Sequence, residues 1–141
     1  MILPDVNILV YAFRDDALEH AEYRQWLLSM INGDAAYGVS PQVLSSFVRI
    51  CTHPGIFVRP NTVDQALRFC EIVMQPAHCQ LIQPGVRHWN IFADLCRRAR
   101  ASGNLVQDAW FAALAIEHGC EWITADRDYA RFPGLRWRPA F

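Results

Sequence analysis

The first thirteen residues, Met1 to Phe13, constrain the fold more than any other stretch of the chain. They form a nearly continuous apolar run that contains one carboxylate, Asp5, and one amide, Asn7. The run is short and rich in β-branched residues, which predicts a strand covered on both faces, as in a parallel sheet. In such a strand the side chains of Asp5 and Asn7 would project from the same face.

A carboxylate inside this run needs a partner, because an ionised group in dry protein costs several kcal/mol. No lysine or arginine precedes Arg14, so the partner of Asp5 comes from distant sequence or from solvent. A divalent cation is one candidate, and hard oxygen ligands suit Mg²⁺ or Mn²⁺. The alternative is that Asp5 caps the end of the strand and is hydrated, since aspartate is common at such positions.

Segments with helical and strand-like patterns alternate along the rest of the chain. The spacing of apolar residues predicts helices over 17–31, 41–52, 62–74, 89–101 and 105–118, strands over 36–39, 79–83, 121–125 and 135–138, and a short turn or helix over 126–132. Alternation of this kind favours a parallel sheet with helices on both faces, in which sites lie at the carboxyl ends of the strands. The length and the lack of repeats or linkers predict one domain over 1–141.

The composition describes a globular chain with a large core, since 52% of the residues are hydrophobic and 19% are charged. No apolar run approaches the roughly twenty residues of a membrane span. The first residues include no basic leader, so no signal peptide is expected. The five cysteines form no CxxC pair and lie in apolar patterns, which indicates free core thiols of a cytoplasmic protein and argues against a zinc site.

The positive charge is supplied by arginine alone. All 13 basic residues are arginines, and the net charge of −1 gives no bulk attraction to nucleic acid. Genomic G+C bias is the simpler explanation for the absence of lysine. The distribution is nevertheless uneven, because the segment from Arg127 to Phe141 contains four arginines and only one aspartate. Guanidinium groups suit phosphate oxygens.

Further acids are predicted to lie near Asp5. If the 121–125 strand neighbours the first strand, Asp126 and Asp128 follow it at the same edge of the sheet. Asp108 lies beside the apolar stripe of its helix and has no basic residue three or four positions away. Carboxylates that converge would repel one another, and a divalent cation would remove the repulsion, polarise a phosphate and activate water. The pattern therefore favours a metal-dependent nuclease.

Several other function classes are disfavoured. No serine–histidine or cysteine–histidine constellation is visible, and the five histidines lie at helix ends and in loops, where solvated or capping roles are expected. No glycine-rich phosphate loop is present, which argues against a nucleotide-dependent enzyme. A receiver domain needs a lysine, which this chain lacks, and a haloacid-dehalogenase phosphatase needs an aspartate where this chain has Asn7.

Three motifs in this order resemble the PIN-domain ribonucleases, and above all the VapC toxins of type II toxin–antitoxin pairs. They are Asp5-Val6-Asn7-Ile8-Leu9, Gln107-Asp108-Ala109 and Thr124-Ala125-Asp126-Arg127-Asp128-Tyr129, and the tail 132–137 resembles one VapC subgroup. The resemblance covers the whole chain. It implies a three-layer α/β/α fold with a central parallel sheet, Mg²⁺- or Mn²⁺-dependent cleavage of RNA such as tRNA or rRNA, a homodimer, and inhibition by a VapB-type antitoxin, with no membrane partner.

The resemblance also implies roles for individual residues. Asp5 and Asp108 match the metal-binding acids of the family, Asp126 matches its third acidic position, and Asp128 matches an outer acid that orients water or metal. Asn7 and Thr124 are expected to be auxiliary, and Arg127 and Arg131 to hold RNA phosphates near the site.

Ser46 departs from the pattern, because the family usually has a glutamate in the helix after the second strand. A serine hydroxyl can hold a metal-bound water but brings no charge, so weaker metal binding or reduced activity is expected. The alternative function is therefore a degenerate PIN domain that binds RNA or antitoxin without cleaving.

Overall fold

A computed structural model describes all residues, Met1–Phe141. Five strands form one all-parallel sheet: β1 (Ile2–Pro4), β2 (Tyr37–Val39), β3 (Cys79–Leu81), β4 (Glu121–Ile123) and β5 (Trp137–Arg138). Six helices surround it: α1 (Val6–Phe13), α2 (His20–Asn32), α3 (Pro41–Cys51), α4 (Val63–Met74), α5 (His88–Ala99) and α6 (Asn104–Glu117), with a 3₁₀ turn at Arg127–Arg131. The strand order is β3-β2-β1-β4-β5.

The connections distribute the helices over both faces of the sheet. The chain moves from β1 to β2 to β3 in one direction, then returns past β1 to reach β4. Because parallel crossovers are right-handed, α1 to α4 cover one face, and α5 and α6 cover the other. The packing agrees, since α1 contacts α2 and α3, α3 contacts α4, and α5 contacts α6. The predicted α/β fold with a central parallel sheet is confirmed.

The strand predicted over Met1–Phe13 is wrong for most of its length. Only Ile2–Pro4 is extended, and Val6–Phe13 is helical. An apolar run buried on all sides has the same pattern in a strand and in a helix, so periodicity does not separate the two. The boundary is set by Asp5, whose backbone is extended and whose carboxylate accepts a hydrogen bond from the Val6 backbone N–H at the start of α1.

Capping residues set the starts of α3 and α4. The Ser40 hydroxyl accepts hydrogen bonds from the backbone N–H groups of Gln42 and Val43, with Pro41 as the first residue of α3. Thr62 and Gln65 form a reciprocal capping box at the start of α4. The strands predicted over 79–83 and 121–125 exist but end two residues earlier, at Leu81 and Ile123.

The thiols and histidines give a mixed outcome. All five cysteines are free; Cys51, Cys70 and Cys120 are buried as predicted, whereas Cys79 and Cys96 are only half-buried. The prediction that the histidines are solvated or cap helices is wrong for His88, which is buried and hydrogen-bonds through Nε2 to the backbone oxygen of Trp110 at 2.9 Å. That contact joins α5 to α6, a tertiary pairing that spacing along the sequence does not reveal.

None of the six helices combines the length and the hydrophobicity that a membrane-spanning helix needs.

Arg14, at the end of α1, anchors the long loop 52–62 between α3 and α4. Its guanidinium is buried and donates to both carboxylate oxygens of Asp16, at 2.9 and 2.6 Å. It also donates to the Arg59 backbone oxygen at 3.1 Å and to Asn61 Oδ1 at 2.9 Å, and it lies 3.7 Å from the centroid of the Phe57 ring. A single side chain therefore fixes the loop to α1.

We predict that Arg14→Ala lowers the free energy of unfolding by about 2–3 kcal/mol, because it removes a buried guanidinium and leaves its acceptors without a donor. Arg14→Lys should recover little of this loss, since an ammonium cannot form the same fork. Urea denaturation measures both values. Arg98→Ala, which breaks an exposed pair with Asp94, is the matched control and should change stability by less than about 0.5 kcal/mol. An Arg14→Ala effect as small as the control would show that the loop is held by other contacts.

Candidate functional site

The sheet has its topological switch point between β1 and β4. These strands pair in register, with Pro4 opposite Ile123, and the Asp5 backbone N–H donates to the Ile123 backbone oxygen at 2.8 Å. The connections leave the carboxyl ends of β1 and β4 towards opposite sides of the sheet, which opens a crevice where ligands bind in α/β folds. The first residues after the two strands, Asp5 and Thr124, border this crevice.

A hydrogen-bond network holds the Asp5 carboxylate at the base of the crevice. Asp5 is only 6% exposed. Its Oδ1 accepts from the Val6 backbone N–H at 2.6 Å, and its Oδ2 accepts from Thr124 Oγ1 at 2.6 Å and from Asn7 Nδ2 at 3.1 Å. Thr124 Oγ1 in turn accepts from the Asp126 backbone N–H at 3.0 Å. The Thr124 hydroxyl thus links two of the predicted acidic positions.

The structure brings three predicted acids into one cleft. Asp5, Asp108 and Asp126 line a cavity of about 400 Å³ together with Asn7 and Ser46. Asp108 reaches it from the first half of α6. None of the three carboxylates forms a salt bridge with any residue of the chain.

The remaining predicted residues lie outside the cleft lining. Asp128 is exposed, and its Oδ1 lies 3.6 Å from Nε of Arg131, which is also exposed. Arg127 is exposed and belongs to no salt bridge. The Asp128 backbone N–H donates to Asp126 Oδ1 at 2.8 Å, so Asp128 is connected to the cleft through its backbone.

Sequence reasoning missed the other wall of the cleft. Val10, Tyr11, Arg49, Ile50, Ile56 and Phe57 contribute to it from α1, α3 and the loop that Arg14 anchors. The two α3 residues were detectable, because Ser46, Arg49 and Ile50 are spaced at i, i+3 and i+4 and share one face of the helix. The loop residues had no such signal, since only the tertiary contacts of Arg14 place them here.

The electrostatics of the cleft are those of a repelling cluster. Burial, together with repulsion from Asp108 and Asp126, raises the pKa of Asp5 from 3.8 to about 6, against the opposing effect of the Thr124 hydroxyl and the Val6 N–H. Burial and then the charge of Asp126 also raise the pKa of Asp108. The pKa of Tyr129 is raised by burial and by Asp5 and Asp108, so its hydroxyl stays protonated and faces Asp108 Oδ1 at 3.4 Å.

The donors of the cleft fit a hard divalent cation. Carboxylate, amide and hydroxyl oxygens are available, and no histidine or cysteine lines the cavity, which suits Mg²⁺ or Mn²⁺ rather than Zn²⁺. No three His, Cys, Asp or Glu side chains already form a common coordination sphere. The carboxylates would have to rotate towards a bound ion, which is consistent with their mutual repulsion without one.

We predict that Asp5→Asn stabilises the metal-free protein at neutral pH but not in acid. An acid whose folded-state pKa is raised binds more protons folded than unfolded between pH 3.8 and about 6, so its contribution to stability falls as the pH rises through that window. The difference in unfolding free energy between Asp5→Asn and the unmodified protein should grow by about 2.4 kcal/mol from pH 4 to pH 7. Urea denaturation in EDTA across this range measures it. A difference that does not change with pH would contradict the buried, repelled state of Asp5.

Solved structures share this fold. VapBC2 from Rickettsia felis, bound to a DNA fragment from its promoter, superposes with a TM-score of 0.71 at 19% identity, covering 99% of this chain and 98% of that chain. VapBC-1 from nontypeable Haemophilus influenzae gives a TM-score of 0.67 at 18% identity, covering 99% and 98%. At these identities the likeness is one of fold.

Sequence comparison is more specific. The chain is similar to ribonuclease VapC43 of Mycobacterium tuberculosis, with 39% identity over 138 residues that cover 98% of this chain and 94% of the relative. It is also similar to ribonuclease VapC25 of the same species, with 38% identity over 136 residues that cover 96% of each. The family model of the PIN domain matches residues 2–135. This chain belongs to the PIN domain family.

Proposed function

We propose that this protein is the toxic endoribonuclease of a type II toxin–antitoxin module, and that it hydrolyses phosphodiester bonds of RNA, such as tRNA or rRNA, with Mg²⁺ or Mn²⁺. The observation that carries the proposal is the convergence of Asp5, Asp108 and Asp126 in one cleft at the switch point of the sheet, where none of the three forms a salt bridge. The names of the relatives support it, since VapC43 and VapC25 are ribonucleases.

The polar residues that line the cleft or support it divide three tasks among them in this proposal. Asp5, Asp108 and Asp126 hold the cation, which supplies a Lewis acid for the phosphate and lowers the pKa of water. Asn7 and Thr124 orient the Asp5 carboxylate through the hydrogen bonds described above. The hydroxyl of Ser46 holds a water molecule in the cleft.

Residues at the rim act on water and on the substrate backbone. Asp128 serves as an outer acid that orients water, since it connects to Asp126 through its backbone N–H. Arg127 and Arg131 hold RNA phosphates outside the cleft. Arg131 leaves Asp128 at little cost, because an exposed pair at 3.6 Å contributes about 0–1 kcal/mol.

The proposal includes partners and a location. A VapB-type antitoxin is the proposed inhibitor, supported by the two similar folds, which were solved as VapBC. We also propose a homodimer that acts in the cytoplasm, where the five free thiols stay reduced. Light scattering of the purified protein, alone and with the antitoxin, tests both assemblies.

The proposed metal site can be tested by RNA cleavage. Asp5→Asn and Asp108→Asn should each lower the Mn²⁺-dependent cleavage rate by at least about 10²-fold, since even changes behind metal ligands cost roughly 10–100-fold. The measurement is the cleavage of a panel of tRNA and rRNA fragments, with EDTA as the metal-free state. Asp94→Asn, at an exposed aspartate of α5, is the matched control and should retain full activity. Binding of these RNAs without any cleavage by the unmodified protein would instead favour the degenerate PIN domain.

The role of position 46, where the family usually has a glutamate, can be tested by metal binding. Ser46→Glu should lower the melting temperature without metal, because another negative charge joins a repelling cluster. A pair with the exposed Arg49 would offset only about 0.2–0.5 kcal/mol of this repulsion. Added Mn²⁺ should then raise the melting temperature more in Ser46→Glu than in the unmodified protein, because binding to the native state stabilises by mass action.

Ser45→Glu is the matched control for this experiment, since Ser45 is the exposed neighbour on the same helix and does not line the cleft. It should leave the metal-induced shift unchanged. Equal shifts in Ser46→Glu and Ser45→Glu would show that position 46 does not reach the metal, and Asp128 would become the candidate for the fourth acidic position.

A further inference from the structure

Arg49 is the only basic residue that lines the carboxylate cleft. It lies on α3, one turn after Ser46, while Val43, Leu44 and Phe47 of the same helix are buried in the core. Its side chain is exposed and forms no salt bridge with any acid of the chain. The guanidinium is therefore uncommitted, although three unpaired carboxylates share its cleft.

The charge of the cleft explains why a free arginine belongs there. Three carboxylates and one guanidinium leave two uncompensated negative charges, which one divalent cation would neutralise. A phosphodiester that enters the cleft brings one further negative charge into a partly buried space. With one divalent cation bound, the cleft is formally neutral and does not repel this charge, and the planar paired donors of the guanidinium match the phosphate oxygens.

The other arginines proposed for RNA cannot do this from where they lie. Arg127 and Arg131 are outside the cleft, and Arg131 is already beside Asp128. The wall next to Arg49 is apolar, formed by Ile50 together with Ile56 and Phe57 of the anchored loop. A phosphate inside the cleft would therefore meet Arg49 as its basic contact from the protein.

We propose that Arg49 positions the scissile phosphate of RNA, by donating guanidinium hydrogen bonds to its non-bridging oxygens. This inference rests on the proposed ribonuclease function. During hydrolysis the oxygen of water forms the new bond to phosphorus, the bond to the leaving ribose oxygen breaks, and a proton from water ends on that oxygen. Arg49 neither gives nor takes a proton, because a guanidinium stays charged in proteins. It stabilises the charge on the phosphate oxygens as the bond order changes.

The first test compares cleavage with metal binding. Arg49→Ala should lower the single-turnover rate at saturating RNA by about 10²-fold, the typical cost of removing one preorganised donor. Its affinity for Mn²⁺, titrated without RNA, should be equal to that of the unmodified protein or tighter, since a positive charge has left the cluster. Arg49→Lys should recover part of the rate. Arg24→Ala, at an exposed and unpaired arginine of α2 that lies away from the cleft, should match the unmodified protein.

The second test does not need catalysis. In EDTA, a short fluorescein-labelled single-stranded RNA of mixed sequence reports binding at several salt concentrations. Loss of one phosphate contact should reduce the slope of log K against log salt by about one unit in Arg49→Ala and leave it unchanged in Arg24→Ala.

Several results would overturn the proposal. A cleavage rate of Arg49→Ala close to that of the unmodified protein would exclude Arg49 from the substrate. Loss of Mn²⁺ affinity together with activity would mean that Arg49 maintains the site rather than binding phosphate. If the unmodified protein does not cleave RNA, the ribonuclease function fails, and the salt slope in EDTA then decides the phosphate contact of Arg49 by itself.

Discussion

The rest of the structure depends on one buried carboxylate, that of Asp5. Its hydrogen bonds end the first strand, start the first helix and join both to the strand at the far end of the chain, through Thr124 Oγ1 at 2.6 Å. A neutral apolar residue at this position would leave the Val6 N–H and the Thr124 hydroxyl without an acceptor. The same group is destabilised by burial and by two neighbouring acids. The fold therefore holds in place a charge that it does not neutralise.

The two sides of the cleft therefore differ in what holds them in place. On the carboxylate side, the ionised forms of Asp5 and Asp108 are destabilised without a cation, as the raised pKa values of both groups show. The apolar side does not depend on these acids, since Arg14 contacts the loop at the Arg59 backbone oxygen, at Asn61 and at the Phe57 ring. A change in protonation or metal occupancy can thus alter one wall of the cleft while the other stays in place.

Sequence patterns predicted most of the fold because alternation and capping are local. Ser40 and Thr62 begin helices by contacts within three residues, and such contacts are visible in sequence. Asp126 was predicted to lie near Asp5 because parallel strands share a carboxyl edge, and Asp108 because it borders the apolar stripe of its helix; both line the cleft with Asp5. The failures are tertiary. The apolar run after Asp5 has a pattern that fits a strand or a helix, so local spacing did not identify α1. The roles of Arg14 and His88 depend on partners more than twenty residues away.

The face of α3 shows how the departure at position 46 changes the chemistry of the cleft. With the glutamate that the PIN resemblance implies, four carboxylates would share the cleft with one arginine, and the arginine would have a carboxylate one turn away to pair with. Ser46 removes that partner. The guanidinium of Arg49 then has no acid on its own helix to pair with, and one divalent cation brings the carboxylates and the guanidinium to formal neutrality before a phosphate enters. The substitution that suggests a weakened metal site therefore also leaves a positive charge free for the substrate, so metal affinity and RNA affinity need not decline together.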